Sequence, residues 1–141
     1  MFELSIPQQQ IYQQEIVIGE SVNTVCGCFF LKHKYSISDI EEALNKLIEY
    51  NDILRIRIND KNGQIYQSVI EYSEKKLPTY SFDSVDDFRL YANSYAKTPV
   101  SLKGQLSDFI IVNIGKNDFE QSCVLVKMHH IICDAWTLSL L

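Results

Sequence analysis

The chain has 141 residues, 46% of them hydrophobic and 22% charged, with a net charge of -5. Length and apolar content of this order support one folded domain with its own core and exclude an intrinsically disordered chain. The acidic balance argues against a nucleic-acid-binding module, whose affinity comes mainly from a basic face, and no apolar run reaches the ~18 residues of a membrane span.

The N-terminal stretch M-F-E-L-S-I-P-Q-Q-Q has neither the charged nor the apolar region of a secretory signal. Ser5 to Glu15 predicts a short helix, with Ser5 as N-cap, Pro7 in the first turn and Gln8 three residues after the cap. Thr24 to Leu31 is apolar throughout and predicts a strand buried on both faces. Ser38 to Tyr50 predicts a helix capped by Ser38, with Glu41 completing a capping box. Ile40, Ala43, Leu44, Leu47 and Ile48 form its apolar stripe.

Leu54 to Asn59 alternates, with Leu54, Ile56 and Ile58 on one side and Arg55 and Arg57 on the other. The turn sequence D-K-N-G (Asp60 to Gly63) and the returning segment Gln64 to Ile70 complete a β-hairpin. Ser84 to Lys97 predicts a further helix, with Val85, Phe88, Leu90, Tyr91 and Tyr95 as its apolar side. Leu106 to Ile114 and Ser122 to His130 predict two more strands, and another helix is expected near Asp134. Helices and strands in this order imply an α/β sandwich, a mixed sheet with helices packed on it.

The cysteines Cys26, Cys28, Cys123 and Cys133 lack a C-x2-C zinc spacing. They read as buried, reduced structural thiols in a cytoplasmic protein.

The stretch from Met128 to Leu141, M-H-H-I-I-C-D-A-W-T-L-S-L-L, carries the residues with chemistry. Neighbours in a strand point to opposite faces, so His129 and His130 cannot readily converge on one metal ion, and no metal is expected. On the residues alone two readings stand. Both histidines can be structural, with satisfied hydrogen bonds. Alternatively, one faces a cleft at the strand end and serves as a general base, since imidazole ordinarily titrates near neutrality, at about 6.5. Asp134 likewise has two readings, a helix N-cap or a buried partner for Arg55 or Arg57.

M-H-H-I-I-C-D-A-W resembles the H-H-x-x-x-D-G signature of condensation domains of nonribosomal peptide synthetases, members of the chloramphenicol acetyltransferase-like superfamily. Ser5-Ile6-Pro7-Gln8-Gln9-Gln10-Ile11-Tyr12 resembles that family's first motif, S-x-A-Q-x-R followed by an aliphatic and an aromatic residue. Tyr50-Asn51-Asp52-Ile53-Leu54-Arg55-Ile56-Arg57-Ile58 resembles the second, R-H-E-x-L-R-T-x-F, and the helix D-I-E-E-A-L-N-K-L-I-E before it is also typical.

The resemblance implies a chloramphenicol acetyltransferase-like α/β sandwich subdomain. Residues 1–141 would be the N-terminal subdomain of a condensation domain whose C-terminal subdomain is absent. It implies amide bond formation between a carrier-bound acyl or peptidyl thioester and an aminoacyl acceptor. The partners it implies are the donor and acceptor carrier proteins, with their 4'-phosphopantetheine arms carrying the substrates and no cofactor bound directly.

By the same resemblance His130 is catalytic and His129 structural, and Asp134 pairs with Arg55 and holds the loop. Ala135 replaces the motif's glycine, and Trp136 follows it. The fragment alone is expected to be inactive and to associate, as a homodimer or with another partner, through the face toward the missing subdomain. Two rival functions share these residues: a coenzyme A- or carrier-dependent acyltransferase of the same superfamily, and a non-catalytic carrier-binding module.

Overall fold

Ser5 and Gly19 bracket the first helix of the structure, a computed structural model that describes residues 1–19, 22–115 and 121–134. Gln8 Oε1 accepts from the Ser5 N–H at 2.9 Å, so the capping residues stand where the sequence places them. Gly19, at φ 76°, ends the helix in the left-handed region that glycine adopts without strain.

In chain order the elements are β1 (Phe2–Glu3), α1 (Ile6–Ile18), β2 (Thr24–Phe30) and α2 (Ile37–Tyr50), then a 3-10 turn (Asp52–Arg55). There follow β3 (Ile56–Lys61), β4 (Gln64–Val69), β5 (Thr79–Phe82), α3 (Val85–Lys97), β6 (Ser107–Ile114) and β7 (Gln121–His129). They form two sheets. One is three-stranded, in the order β1-β4-β3; the other is four-stranded, in the order β2-β7-β6-β5. The larger sheet is mixed: β5 and β6 run parallel across the α3 connection, whereas β7 is antiparallel to both of its neighbours.

The two faces of the four-stranded sheet carry separate cores. Ile40, Leu44 and Ile48 of α2 pack on Phe109, Ile111, Val124, Val126 and Met128. Phe88 of α3 packs on Ile110, Val112, Ile114, Cys123 and Leu125 of the opposite face, as the two-residue period of strands requires. A third cluster joins Ile131 and Ile132, just past β7, to Leu106, to Ile11 and Tyr12 of α1, and to Ile56 and Ile58 of β3. This cluster docks the smaller sheet and α1 against the end of β7, where the two histidines lie.

Several expectations need correction. Among the described residues β2 is an edge strand, paired with β7, and it is half-buried, with Phe30 51% exposed. Cys26 and Cys28 share that half-burial, while Cys123 and Cys133 are buried as expected; all four are free thiols. Ser36, not Ser38, caps α2 by accepting from the Asp39 N–H at 3.1 Å. Glu41 accepts from the Leu77 N–H at 2.6 Å instead of completing a capping box.

Ala43 is exposed, and Asn45 takes a buried place on α2. Leu54 and Arg55 lie in the 3-10 turn, so the hairpin begins at Ile56. Its two-residue turn is Asn62-Gly63, both at positive φ (57° and 81°), the twist that closes a tight hairpin. On α3 Phe88 is buried, but Leu90 is 71% exposed. β1 and β5, of two and four residues, are further strands that periodicity did not reveal. The helix expected near Asp134 lies outside the described residues. Among the described residues no helix is long and apolar enough to cross a membrane.

Candidate functional site

β7 hydrogen-bonds to β2 on one side and β6 on the other, and His129 is its last residue, opposite Thr24 of β2. The His129 side chain is fully buried. Its Nε2 lies 2.7 Å from Glu15 Oε1 of α1, and its Nδ1 accepts the Ile131 N–H at 3.0 Å. Because Nδ1 is an acceptor, the proton of the neutral ring sits on Nε2 and is donated to Glu15. Burial pushes the imidazole below its ordinary pKa and His130 adds to the depression, while the Glu15 carboxylate opposes it.

The next residue faces the other way. The His130 N–H donates to the Asn23 carbonyl at 2.7 Å, and its side chain is exposed. It lines a groove of about 340 Å³ together with Ser5, Gln8, Ile11, Ile53 and Asp134. The walls therefore come from the start of α1, the 3-10 turn and the segment after β7.

That segment is held at residues 131–133. Ile132 N–H donates to the His129 carbonyl at 3.1 Å. Gln8 Nε2 donates to the Ile131 carbonyl at 3.2 Å, and the Gln8 side-chain amide also pairs with Gln67 of β4 at 3.0 Å. The Cys133 thiol reaches the His129 carbonyl at 3.5 Å. Burial and the neighbouring Asp134 push it up to about 11, so at neutral pH it stays protonated and packs rather than attacks.

Arg55 takes partners other than the expected Asp134. It forms its ion pair with Asp52 and donates to the carbonyls of Ile48 at 3.2 Å, Glu49 at 3.1 Å and Ile70 at 2.8 Å. The reason is local. Arg55 closes the 3-10 turn, which places its side chain over the C-terminal end of α2 and within reach of the residue three positions earlier. Arg57 donates to the Ile56 carbonyl at 2.8 Å. Asp134 stands exposed at the rim of the His130 groove. Ala135 and Trp136 lie outside the described residues.

Two residues of this site went unread in the sequence. Glu15 is 7% exposed, and the trace it left was a single acid ahead of the apolar run I-V-I. Asn23 donates to Glu15 Oε1 from its backbone N–H at 3.3 Å and its Nδ2 at 3.4 Å; nothing in its sequence context marked it.

At this sheet end His129 is buried and hydrogen-bonded through both ring nitrogens, and His130 lines a groove. The family model of the condensation domain matches residues 1–141, and the chain belongs to that family. It is 25% identical over 145 residues to a linear gramicidin synthase of Brevibacillus parabrevis, covering 97% of this chain and 2% of that protein. It is 26% identical over 115 residues to gramicidin S synthase 2 of Brevibacillus brevis, covering 82% of this chain and 2% of that protein.

Among solved structures it resembles the first condensation domain of the calcium-dependent antibiotic synthetase, with a TM-score of 0.85 at 15% identity over 99% of this chain and 35% of that one. The starter condensation domain of rhizomide synthetase is similar, with a TM-score of 0.80 at 20% identity over 99% of this chain and 33% of that one. At these identities the likeness establishes the fold, the chloramphenicol acetyltransferase-like α/β arrangement. The chain spans about a third of the solved chains and a small fraction of the curated synthetases it matches.

Proposed function

We propose that this chain is the N-terminal subdomain of a condensation domain that makes an amide bond between two carrier-bound substrates, and that His130 is its catalytic imidazole. The observation that carries this reading is the division of labour between adjacent residues. His129 is spent on Glu15 and Ile131, whereas among the described residues His130 is anchored through its backbone and lines a groove.

The chemistry is acyl transfer. The acceptor amine attacks the thioester carbonyl; the C–N bond forms, the C–S bond breaks, and the thiol of the donor's 4'-phosphopantetheine arm departs. The His130 ring accepts the amine proton or orients the amine by a hydrogen bond. The substrates arrive on donor and acceptor carrier proteins, and no cofactor is bound directly. In the complete domain a C-terminal subdomain forms the opposite wall of the site. The chain on its own is inactive, because half a site forfeits the advantage of holding both reactants in one geometry.

Ile16, Val17 and Ile18 at the end of α1 are exposed and support a face that another polypeptide covers, the second subdomain or, for the isolated chain, a second copy.

A second reading concerns the donor. A rhizomide starter condensation domain is in complex with C8-CoA, and a soluble acyl-coenzyme A donor would use the same histidine. The test is turnover by the protein that carries the complete domain, with carrier-loaded and coenzyme A-loaded donors, for wild type and His130→Ala. The expected result is a loss of roughly 10²–10⁴-fold in the variant with the fold intact. Wild-type turnover by His130→Ala overturns the role of His130. No turnover by the wild type with either donor class favours the non-catalytic carrier-binding module.

A further inference from the structure

We infer that Glu15 is a positioning residue for this reaction: from the far end of α1 it fixes the His129 ring, and through it the turn that aims His130 into the groove. The inference rests on the reading of His130 as the reacting group.

The geometry links contacts from three segments. Glu15 Oε1 meets His129 Nε2 at 2.7 Å and also accepts from the Asn23 N–H at 3.3 Å and Asn23 Nδ2 at 3.4 Å. The Asn23 carbonyl accepts the His130 N–H at 2.7 Å. His129 Nδ1 accepts the Ile131 N–H at 3.0 Å. Residue 129 meets one carboxylate, itself 7% exposed, directly; residue 130 is tied to it through Asn23 and residue 131 through the His129 ring.

The polarity of the set decides what Glu15 supplies. Ile131 can donate to Nδ1 only if that nitrogen is unprotonated. An acceptor opposite Nε2 stabilises the Nε2–H tautomer, and with it the ring orientation that receives Ile131. Without that acceptor the Nε2–H is left buried and unsatisfied, and a ring flip or tautomer change becomes the cheaper arrangement. The Ile131 N–H then loses its partner, and the peptide unit between His130 and Ile131 loses the contact that orients it. A shift of about 1 Å in a catalytic group can cost ~10²-fold in rate. What matters here is an acceptor oxygen at this point, not a negative charge, because the imidazole it meets is neutral.

The experiment uses the protein that carries the complete domain, with rates normalised to folded, active enzyme. Glu15→Ala is expected to lower kcat by about 10–100-fold with KM unchanged for both substrates. Glu15→Gln, whose amide oxygen still accepts from Nε2–H, is expected to restore kcat to near the wild-type value. Nitrogen-15 spectra of the histidine rings supply a readout that does not depend on Glu15→Ala folding: wild type and Glu15→Gln should show His129 as the Nε2–H tautomer.

An unchanged kcat in Glu15→Ala, or a Glu15→Gln variant as slow as the alanine variant, overturns the inference. A wild-type His129 that is an imidazolium or the Nδ1–H tautomer overturns it as well. His130→Ala separates the two levels. If that variant is inactive while Glu15→Ala is unimpaired, only the positioning role falls. If His130→Ala turns over normally, the functional reading falls and takes the positioning role with it.

Discussion

Arg55 and Asp52 form an ion pair across a single 3-10 turn, with the arginine side chain 15% exposed and the aspartate side chain 74% exposed. The same guanidinium donates to Ile48 and Glu49 in the last turn of α2 and to Ile70 just past β4. Arg55 therefore acts less as a charge partner than as a clasp on three carbonyl groups, two from α2 and one just past β4.

The two ends of this pair should differ sharply in cost. Arg55→Ala leaves carbonyls at the end of α2 without their donor and should destabilise the domain by about 3 kcal/mol, since hydrogen bonds to charged groups are each worth ~1.5–3 kcal/mol. Asp52→Ala removes an exposed charge and should cost less than ~1 kcal/mol. Urea unfolding midpoints of the two variants measure the difference; equal losses would mean that the ion pair, not the carbonyl clasp, carries the stability.

His129 should make the domain acid-sensitive. Its folded pKa lies below its ordinary value, so on acidification the unfolded chain takes up the proton first. The stability from the neutral buried ring is complete above about pH 6.5, the ordinary imidazole value. It is lost as the pH falls through the window below that value, with a slope of at most ~1.4 kcal/mol per pH unit for one proton. Unfolding free energies of wild type and His129→Gln between pH 5 and 7.5 (roughly the span of histidine titration) should converge as the pH falls. Parallel curves for the two proteins would contradict this account.

Lys127 should couple α3 to β7. It is 6% exposed, its Nζ lies 2.6 Å from Thr98 Oγ1 and 3.1 Å from the Thr98 carbonyl, and it reaches the Tyr95 carbonyl at 3.2 Å. It also sits 3.6 Å from the centre of the Tyr95 ring. A cation at a helix C-terminus satisfies orphan carbonyls there. Lys127→Met, which keeps the stem and removes the donors, should cost about 2 kcal/mol. A double-mutant cycle with Thr98→Val should give a coupling of about 1 kcal/mol, and a coupling of zero would show that the short contact carries no energy.

What the sequence made legible followed from period and parity. Strand parity predicts opposite facing for His129 and His130, and at the end of β7 the His129 ring is sealed while His130, the first residue past the strand, is exposed. Among the described residues, α1 was legible from its capping residues, α2 from its apolar spacing, though its cap lies at Ser36, and α3 from both. β2 was misjudged because an apolar run cannot reveal how many neighbours a strand has; Phe29 and Phe30 look like core residues until the strand order puts them at an edge.

Arg55 was matched to Asp134 by motif position, but a partner three residues away wins when the chain turns as tightly as it does at 52–55. Glu15 escaped because α1 buries almost no apolar residue of its own. A polar residue that serves a partner 114 positions away leaves no periodic trace.

β7 is hydrogen-bonded along both edges, whereas Glu15 and Gln8 reach its end only through side chains. Opening free energies within one protein follow such differences, and an interior strand opens with the whole molecule while a helix held by a few side-chain contacts can detach at less cost. The groove is therefore assembled across a seam between a persistent half and a more easily released one. Detachment of α1 would leave the sheet folded with both histidines still on it, but with the ring of His129 unlatched and one wall of the groove gone. Folded protein and competent protein are thus separable populations in this design, and the balance between them is set at α1.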